Sequence, residues 1–180
     1  MKQTAIIVTN SGQYLDLLDP DPEAIFITDI AHSLANINRF NGHTDKPYSV
    51  GQHSIYCSRI VSDRHALQAL LHDSTEAYMG DMVSPLKSVM QVFRAIEDKL
   101  WTVIASKFGV PSVLQDEVKW ADEASYCMER RKLIRARGQQ FDPDYERFVD
   151  VQLPVQPLPV TLTPEETASV FLERFQELDR

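Results

Sequence analysis

The chain has 180 residues, with 18 Lys+Arg against 26 Asp+Glu and a net charge of −8. That length fits one domain with its own core, and the acidic balance disfavours a general duplex-binding surface, because phosphates repel it. No stretch nears the ~20 apolar residues that span a bilayer, and the start MKQTAIIVTN lacks a signal-peptide apolar region. Cys57 and Cys127 make neither a disulfide framework nor a zinc ribbon, so a reducing, cytoplasmic location is expected.

Residues 5–8 (AIIV) read as a short strand, Gly12 sits in a turn, and YLDLLD alternates as a second strand. A small N-terminal β-hairpin within 1–22 is expected. DPDP at 19–22 is a break. Ile30, Leu34 and Ile37 then recur at helical spacing behind the cap candidates Thr28 and Asp29, and Asn41-Gly42 ends that helix. A second helix follows Pro47 and Ser49, with Val50, His53, Ser54 and Cys57 along one face. A third spans 64–79 on the stripe Leu67, Leu70, Leu71. GDMVSPLK is a loop broken at Pro85. The strongest helical period runs from 89 to 108, through Val89, Val92, Phe93, Ile96, Leu100, Val103 and Ile104. Gly109-Pro111 stops it, and Ser112 with Gln115 spells a capping box for a helix to about residue 137. Residues 138–160 are Pro-rich and loop-like. Thr163-Pro164-Glu165-Glu166 opens a last helix over 163–179, which buries Ala168, Phe171, Phe175 and Leu178. The expectation is an all-α class: a single helical bundle over 1–180, with its core at about 28–135.

Chemistry concentrates around His72-Asp73. Both follow the apolar run Ala69-Leu70-Leu71, so both must be satisfied beside a buried stripe. A divalent cation satisfies both at once. His53 lies on the apolar face of the preceding helix, which an antiparallel pairing brings near His72. Asp122, within KWADEAS, is flanked by apolar or small residues. Two imidazoles and two carboxylates form a mixed N/O set suited to Mn, Co, Fe, Ni or Zn, with Mg also open. Glu76, four residues from His72, is placed to orient a water or take its proton. Asp81 after Gly80 is a second such acid. Arg39 and Lys87 flank these helices as candidate phosphate contacts. Cys57, one turn past His53, reads as a small buried hydrophobe.

These residues resemble a known family. His53 … His72-Asp73 … Asp122 is similar to the H…HD…D pattern of the HD-domain metal phosphohydrolases. The stretches NINRFNGHTDKPYSVGQHS, ALLHDSTEAYMGDMVSPLK and KWADEASYCMERR resemble one branch of it. That branch holds bacterial 5′-deoxynucleotidases and related small phage or prophage proteins, some of them deoxynucleoside triphosphohydrolases. The likeness covers about residues 28–135. It implies an HD-domain bundle, one divalent metal on His53, His72, Asp73 and Asp122, and water activation by Glu76 and Asp81. It also implies phosphate contacts from Arg39 and Lys87, with Phe40 near the sugar or base. The implied activity is release of phosphate from deoxynucleoside monophosphates, or of triphosphate from the triphosphates. The partner is a small nucleotide, neither a nucleic acid polymer nor a membrane, and the protein is expected to form a homo-oligomer, with Phe93, Trp101 and the Phe171/Phe175 helix as interface or core. The other readings are a nucleotide-binding module without turnover and a structural helical protein with a fortuitous HD pair. Gly51, where relatives often have Ala, has no functional account in the sequence.

Overall fold

The structure is a computed structural model, and it describes residues 3–134 and 162–179. It is mostly helical, with one small hairpin. Strand β1 (Ile6–Val8) pairs antiparallel with β2 (Tyr14–Asp16), Ile7 opposite Leu15. Gly12, at φ 83°, makes the turn between them. Leu15 points into the core and Tyr14 into solvent. The second strand is shorter than the alternation suggested, because the Asp16 carboxylate accepts from the amides of Ala5 and Leu18 and turns the chain away.

Helix α1 (Ile27–Asn36) starts from Phe26, with no side-chain cap. Thr28 and Asp29 therefore lie inside its first turn instead of capping it. Asp29 has a different task. Its buried carboxylate accepts from the Ser11 amide at 2.8 Å and the Ser11 hydroxyl at 2.7 Å, tying the hairpin turn to the helix. A carboxylate in a first turn is also favoured by the helix dipole. The helix stops at Asn36, before Asn41-Gly42, and a 3-10 turn (Arg39–Gly42) intervenes.

Helix α2 (Val50–Ile60) is closed by a capping box between Ser49 and Gln52, which the sequence reading had not singled out. It is buried on nearly all sides. One flank meets α1 and α8 (Pro164–Leu178), the other α3 (Asp63–Leu71) and α7 (Asp116–Leu133). Ile30, Leu34, Val50, Ile55, Leu70, Leu71, Leu100, Ile104 and Phe171 form the main core. Tyr56, Cys57, Ile60, Ala69, Val118, Ala121 and Met128 fill a second cluster where α7 crosses. Phe171 and Phe175 are core residues.

The expected 64–79 helix is two pieces, α3 and α4 (Glu76–Met79). Pro85 begins a short helix, α5 (Ser84–Lys87), where a loop was expected, because proline is tolerated in a first turn. Helix α6 (Gln91–Lys107) keeps only the C-terminal half of its stripe inside: Leu100, Ile104 and Ala105 are buried, while Val89 and Val92 are 71% and 75% exposed. The Ser112/Gln115 box does not form. Gln115 is the N-cap without a side-chain bond, and the buried Gln68 side chain holds this loop instead, through the carbonyls of Pro111 and Val113 and the amide of Gln115. The Thr163/Glu166 box on α8 forms as expected. The Pro-rich stretch 138–160 lies outside the described residues. Among those described, no helix is long and apolar enough to cross a membrane.

Gly51 now has a physical reason. A Cβ there would stand 3.1 Å from Thr167 Cγ2 on α8, and 3.2 and 3.3 Å from backbone atoms of Ala35 on α1. Three helices meet at a point where a methyl group would force its neighbours to give by a few tenths of an ångström. Gly51→Ala gains helix propensity of up to about 1 kcal/mol, but overpacking of this kind costs about 1–3 kcal/mol. The expected result is a net loss of stability, read as a lower midpoint in thermal or urea unfolding. An unchanged or raised midpoint would mean that α1 and α8 yield freely at this contact.

Candidate metal centre

The polar centre lies where α3 ends. After Leu71 the chain tightens: the amides of Ser74 and Glu76 bond the carbonyls of Leu71 and Asp73, three residues back. His72 and Asp73 thus occupy a tight turn between α3 and α4, and are not interior to one long helix. Helix α2 brings His53 to them and α7 brings Asp122. The His53 and His72 rings stand 5.3 Å apart. His53 Nε2 is 3.1 Å from Asp122 Oδ1 and 3.6 Å from Asp73 Oδ2. His72 Nε2 is 3.3 Å from Asp73 Oδ1 and 3.8 Å from Asp122 Oδ1. All four residues read as ligands from the sequence therefore converge.

Each ring is fixed from behind. His72 Nδ1 lies 2.7 Å from the Ala69 carbonyl, which can only accept, so Nδ1 carries hydrogen and a neutral ring keeps its lone pair on Nε2. That Nε2 is buried and makes no hydrogen bond. His53 Nδ1 lies 2.8 Å from Glu129 Oε1, which leaves its Nε2 facing the same space. A metal-ligating histidine is held in this way by an acceptor on its other nitrogen. The donor set and the orphaned Nε2 fit a divalent cation. His53, Cys57 and His72 offer ligand atoms within 4.8 Å of one another, and this buried group could hold a metal ion. The Cys57 thiol is 3.5 Å from His53 Nε2 and 3.9 Å from Nδ1, so it stands beside the ring, and it bonds the Ser125 hydroxyl.

A cleft of about 630 Å³ opens over Asp73 and Asp122. Glu76, Asp81, Arg39, Phe40 and Lys87 all line it, as do Tyr126 and the exposed His43. Arg39 is buried, with Nε 2.8 Å from Glu129 Oε2 and Nη1 3.8 Å from Asp73 Oδ2. Lys87 is paired: its ammonium lies 2.6 Å from Glu97 on α6. Phe40 and Asn41 both adopt positive φ, 55° and 50°, in the left-handed region that ordinary residues avoid. The Phe40 ring tilts against Tyr126 at 5.6 Å.

Three site residues escaped the sequence reading. Glu129 lies seven residues after Asp122 and Tyr126 four after it, so the helical period could have found both. Glu97 had no signal, since its role depends on how α5 settles on α6.

No family model matches this chain. It is 39% identical over 176 residues to the uncharacterized protein YfdR of Escherichia coli strain K12, covering 97% of this chain and 96% of that one. The chain belongs to the YfdR family. It is also 39% identical over 131 residues, 67% of each chain, to an uncharacterized protein of Rhodobacter capsulatus. Neither relative's name states an activity, so for this YfdR-family chain the chemistry rests on the geometry.

Packing so many ionisable groups together moves their protons. Burial opposes a charge on His72, but Asp73 and Asp122 overcome it and raise the ring to about 10. Burial and Arg39 oppose charge on His53, and acceptors including Glu129 and Asp122 outweigh them, so it too is raised. Asp122 is held well below the usual carboxylate range: burial works against this, and the hydrogen bond from His53 together with the positive charge of both imidazoles prevails. Burial pushes Glu76 well up, with Asp73 and Asp81 adding to it. Burial raises Asp81 as well, against the pull of Arg39.

The metal-free centre therefore holds protons where a cation would sit. His72, raised from 6.5 to about 10 by folding, stabilises the metal-free protein fully below pH 6.5, and that contribution is lost as pH rises through about 10. Metal binding must release these protons. Affinity for Mn²⁺ or Co²⁺ is expected to rise with pH across neutrality, by about tenfold per unit for each proton displaced. Calorimetry in buffers of different ionisation enthalpy measures the release. Affinity independent of pH, with no proton released, would contradict the assignment.

Proposed function

We propose that this protein is a divalent-metal-dependent phosphohydrolase of the HD-domain type, acting on nucleotides and foremost on deoxynucleoside monophosphates. The observation that carries the reading is the convergence of His53, His72, Asp73 and Asp122, of which Asp73 and Asp122 line a cleft that also holds Arg39, Glu76 and Asp81. When bound, a divalent cation would supply Lewis acidity and make water more acidic near neutral pH.

The chain's own residues do the rest. The two imidazoles and two carboxylates hold the cation. Glu76 Oε2 is buried with no hydrogen-bond partner, and burial beside Asp73 and Asp81 raises its carboxyl well above the usual carboxylate range, which suits a group that takes a proton from water and returns it. Asp81 is the second acid in the same cleft. Arg39, oriented through Nε and lining the cleft with Nη1 3.8 Å from Asp73, offers a guanidinium fork that fits two phosphate oxygens at once. Lys87 adds positive charge to the wall while paired to Glu97. Phe40 and Tyr126 supply an apolar wall for the sugar or base.

The test is to load the purified protein with Co²⁺ or Mn²⁺, offer deoxynucleoside mono- and triphosphates, and assay phosphate and triphosphate. Release of phosphate from the monophosphates is expected. Triphosphate release instead would make the protein a triphosphohydrolase on the same site. Tight nucleotide binding with no product would make it a binding module. Asp73→Ala is expected to lose metal and activity together. Glu76→Gln is expected to retain the metal while turnover falls by about 10²–10⁴-fold, the usual range for a proton-transfer group. A fully active Glu76→Gln would remove Glu76 from the chemistry.

A further inference from the structure

Glu129 is 1% exposed, and its two oxygens are committed to different partners. Oε1 meets His53 Nδ1 at 2.8 Å, and Oε2 meets Arg39 Nε at 2.8 Å. One partner faces the metal space and the other lines the cleft. Both are donors, and both are buried. Arg39 Nη1 lies only 3.8 Å from Asp73 Oδ2. Without a carboxylate on its Nε side, the arginine would be drawn onto Asp73 and would compete with a cation for it.

We infer that Glu129 is a positioning residue that sets two elements of the site together: the His53 tautomer required for metal and the Arg39 orientation required for a phosphate-bearing ligand. This rests on the metal-and-phosphate reading of the cleft. Glutamine at 129 is the decisive change. It keeps the shape but offers one acceptor and one donor, while both partners donate. If its oxygen faces His53, its NH₂ group opposes Arg39 and the guanidinium turns to Asp73. If its NH₂ group faces His53, that ring must accept at Nδ1, and its Nε2 then carries hydrogen into the metal space.

The experiment measures Zn²⁺ affinity, then inorganic phosphate affinity of the Zn²⁺-loaded full-length protein, for wild type, Glu129→Gln, Arg39→Ala and the double variant. Glu129→Gln is expected to weaken metal binding by about 10–100-fold, the range for losing such a supporting group, and to weaken phosphate binding as well. In the Arg39→Ala background the phosphate effect should vanish while the metal effect persists, since Glu129 reaches phosphate only through Arg39. Long-range ¹H–¹⁵N spectra of Zn²⁺-loaded wild type should find the His53 proton on Nδ1, a readout that needs no variant to fold. Wild-type affinities in Glu129→Gln, a phosphate effect that survives in the double variant, or an Nε2-protonated His53 would each overturn the inference while leaving the proposed function standing. Wild type that binds neither Zn²⁺ nor phosphate would overturn both.

Discussion

An imidazole with no exposed atom needs something at each of its nitrogens, and His53 sits at that extreme, in the middle of a helix buried on nearly every side. Much of the polar architecture follows from meeting that need. Glu129 answers Nδ1 from α7, and Asp122 answers Nε2 from the same helix two turns earlier. Glu129, once buried, needs a cation of its own and has Arg39. Arg39 reaches toward Asp73, which lies beside His72. Each group's desolvation is offset by the next, and the chain of pairs ends at the cleft, where water or a ligand takes over. Isolated buried charges are expensive, but a connected set can be held if every member is paired.

Bringing four chain segments to one point requires close helix packing, and Gly51 is part of that. Where α2 passes Ala35 and Thr167, a Cβ would stand within 3.1–3.3 Å of both, so the helices pack closely at a glycine. This contact presses α2 against α1 and α8, while its opposite flank carries His53 and Cys57 toward α3 and α7. The geometry of the polar centre therefore depends on an apolar contact on the far side of the same helix.

Much of this was legible in the residues. Apolar periodicity located α1, α2 and α6, breaker and cap residues located α7 and α8, and the polar pair His72-Asp73 beside an apolar run marked the centre. The misreadings share a cause. Periodicity cannot see which turns tighten, so α3 and α4 were merged. It cannot see where a stripe runs out of partners, so the exposed Val89 and Val92 were placed inside. Caps were read from residue type, yet Asp29 was claimed by Ser11 and the Ser112/Gln115 box was displaced by Gln68, both through tertiary contacts. Glu129 lies on the helical period of Asp122, but its two partners lie 76 and 90 residues away, and only the fold shows that they meet on one carboxylate.

The turn that carries Arg39 has a mechanical character. Phe40 and Asn41 both hold left-handed backbone conformations, at a cost of order 1–3 kcal/mol each for residues other than glycine. Such a turn does not hold itself. It is clamped by the Arg39 amide on the Tyr48 carbonyl, by the Phe40 carbonyl accepting from His43, and by the Phe40 ring against Tyr126. The segment is a bent spring whose far anchor is helix α7, the same helix that supplies Asp122. Side chains branched at Cβ are excluded from both positions, and any change that loosens α7 relaxes this wall of the cleft as well as its floor.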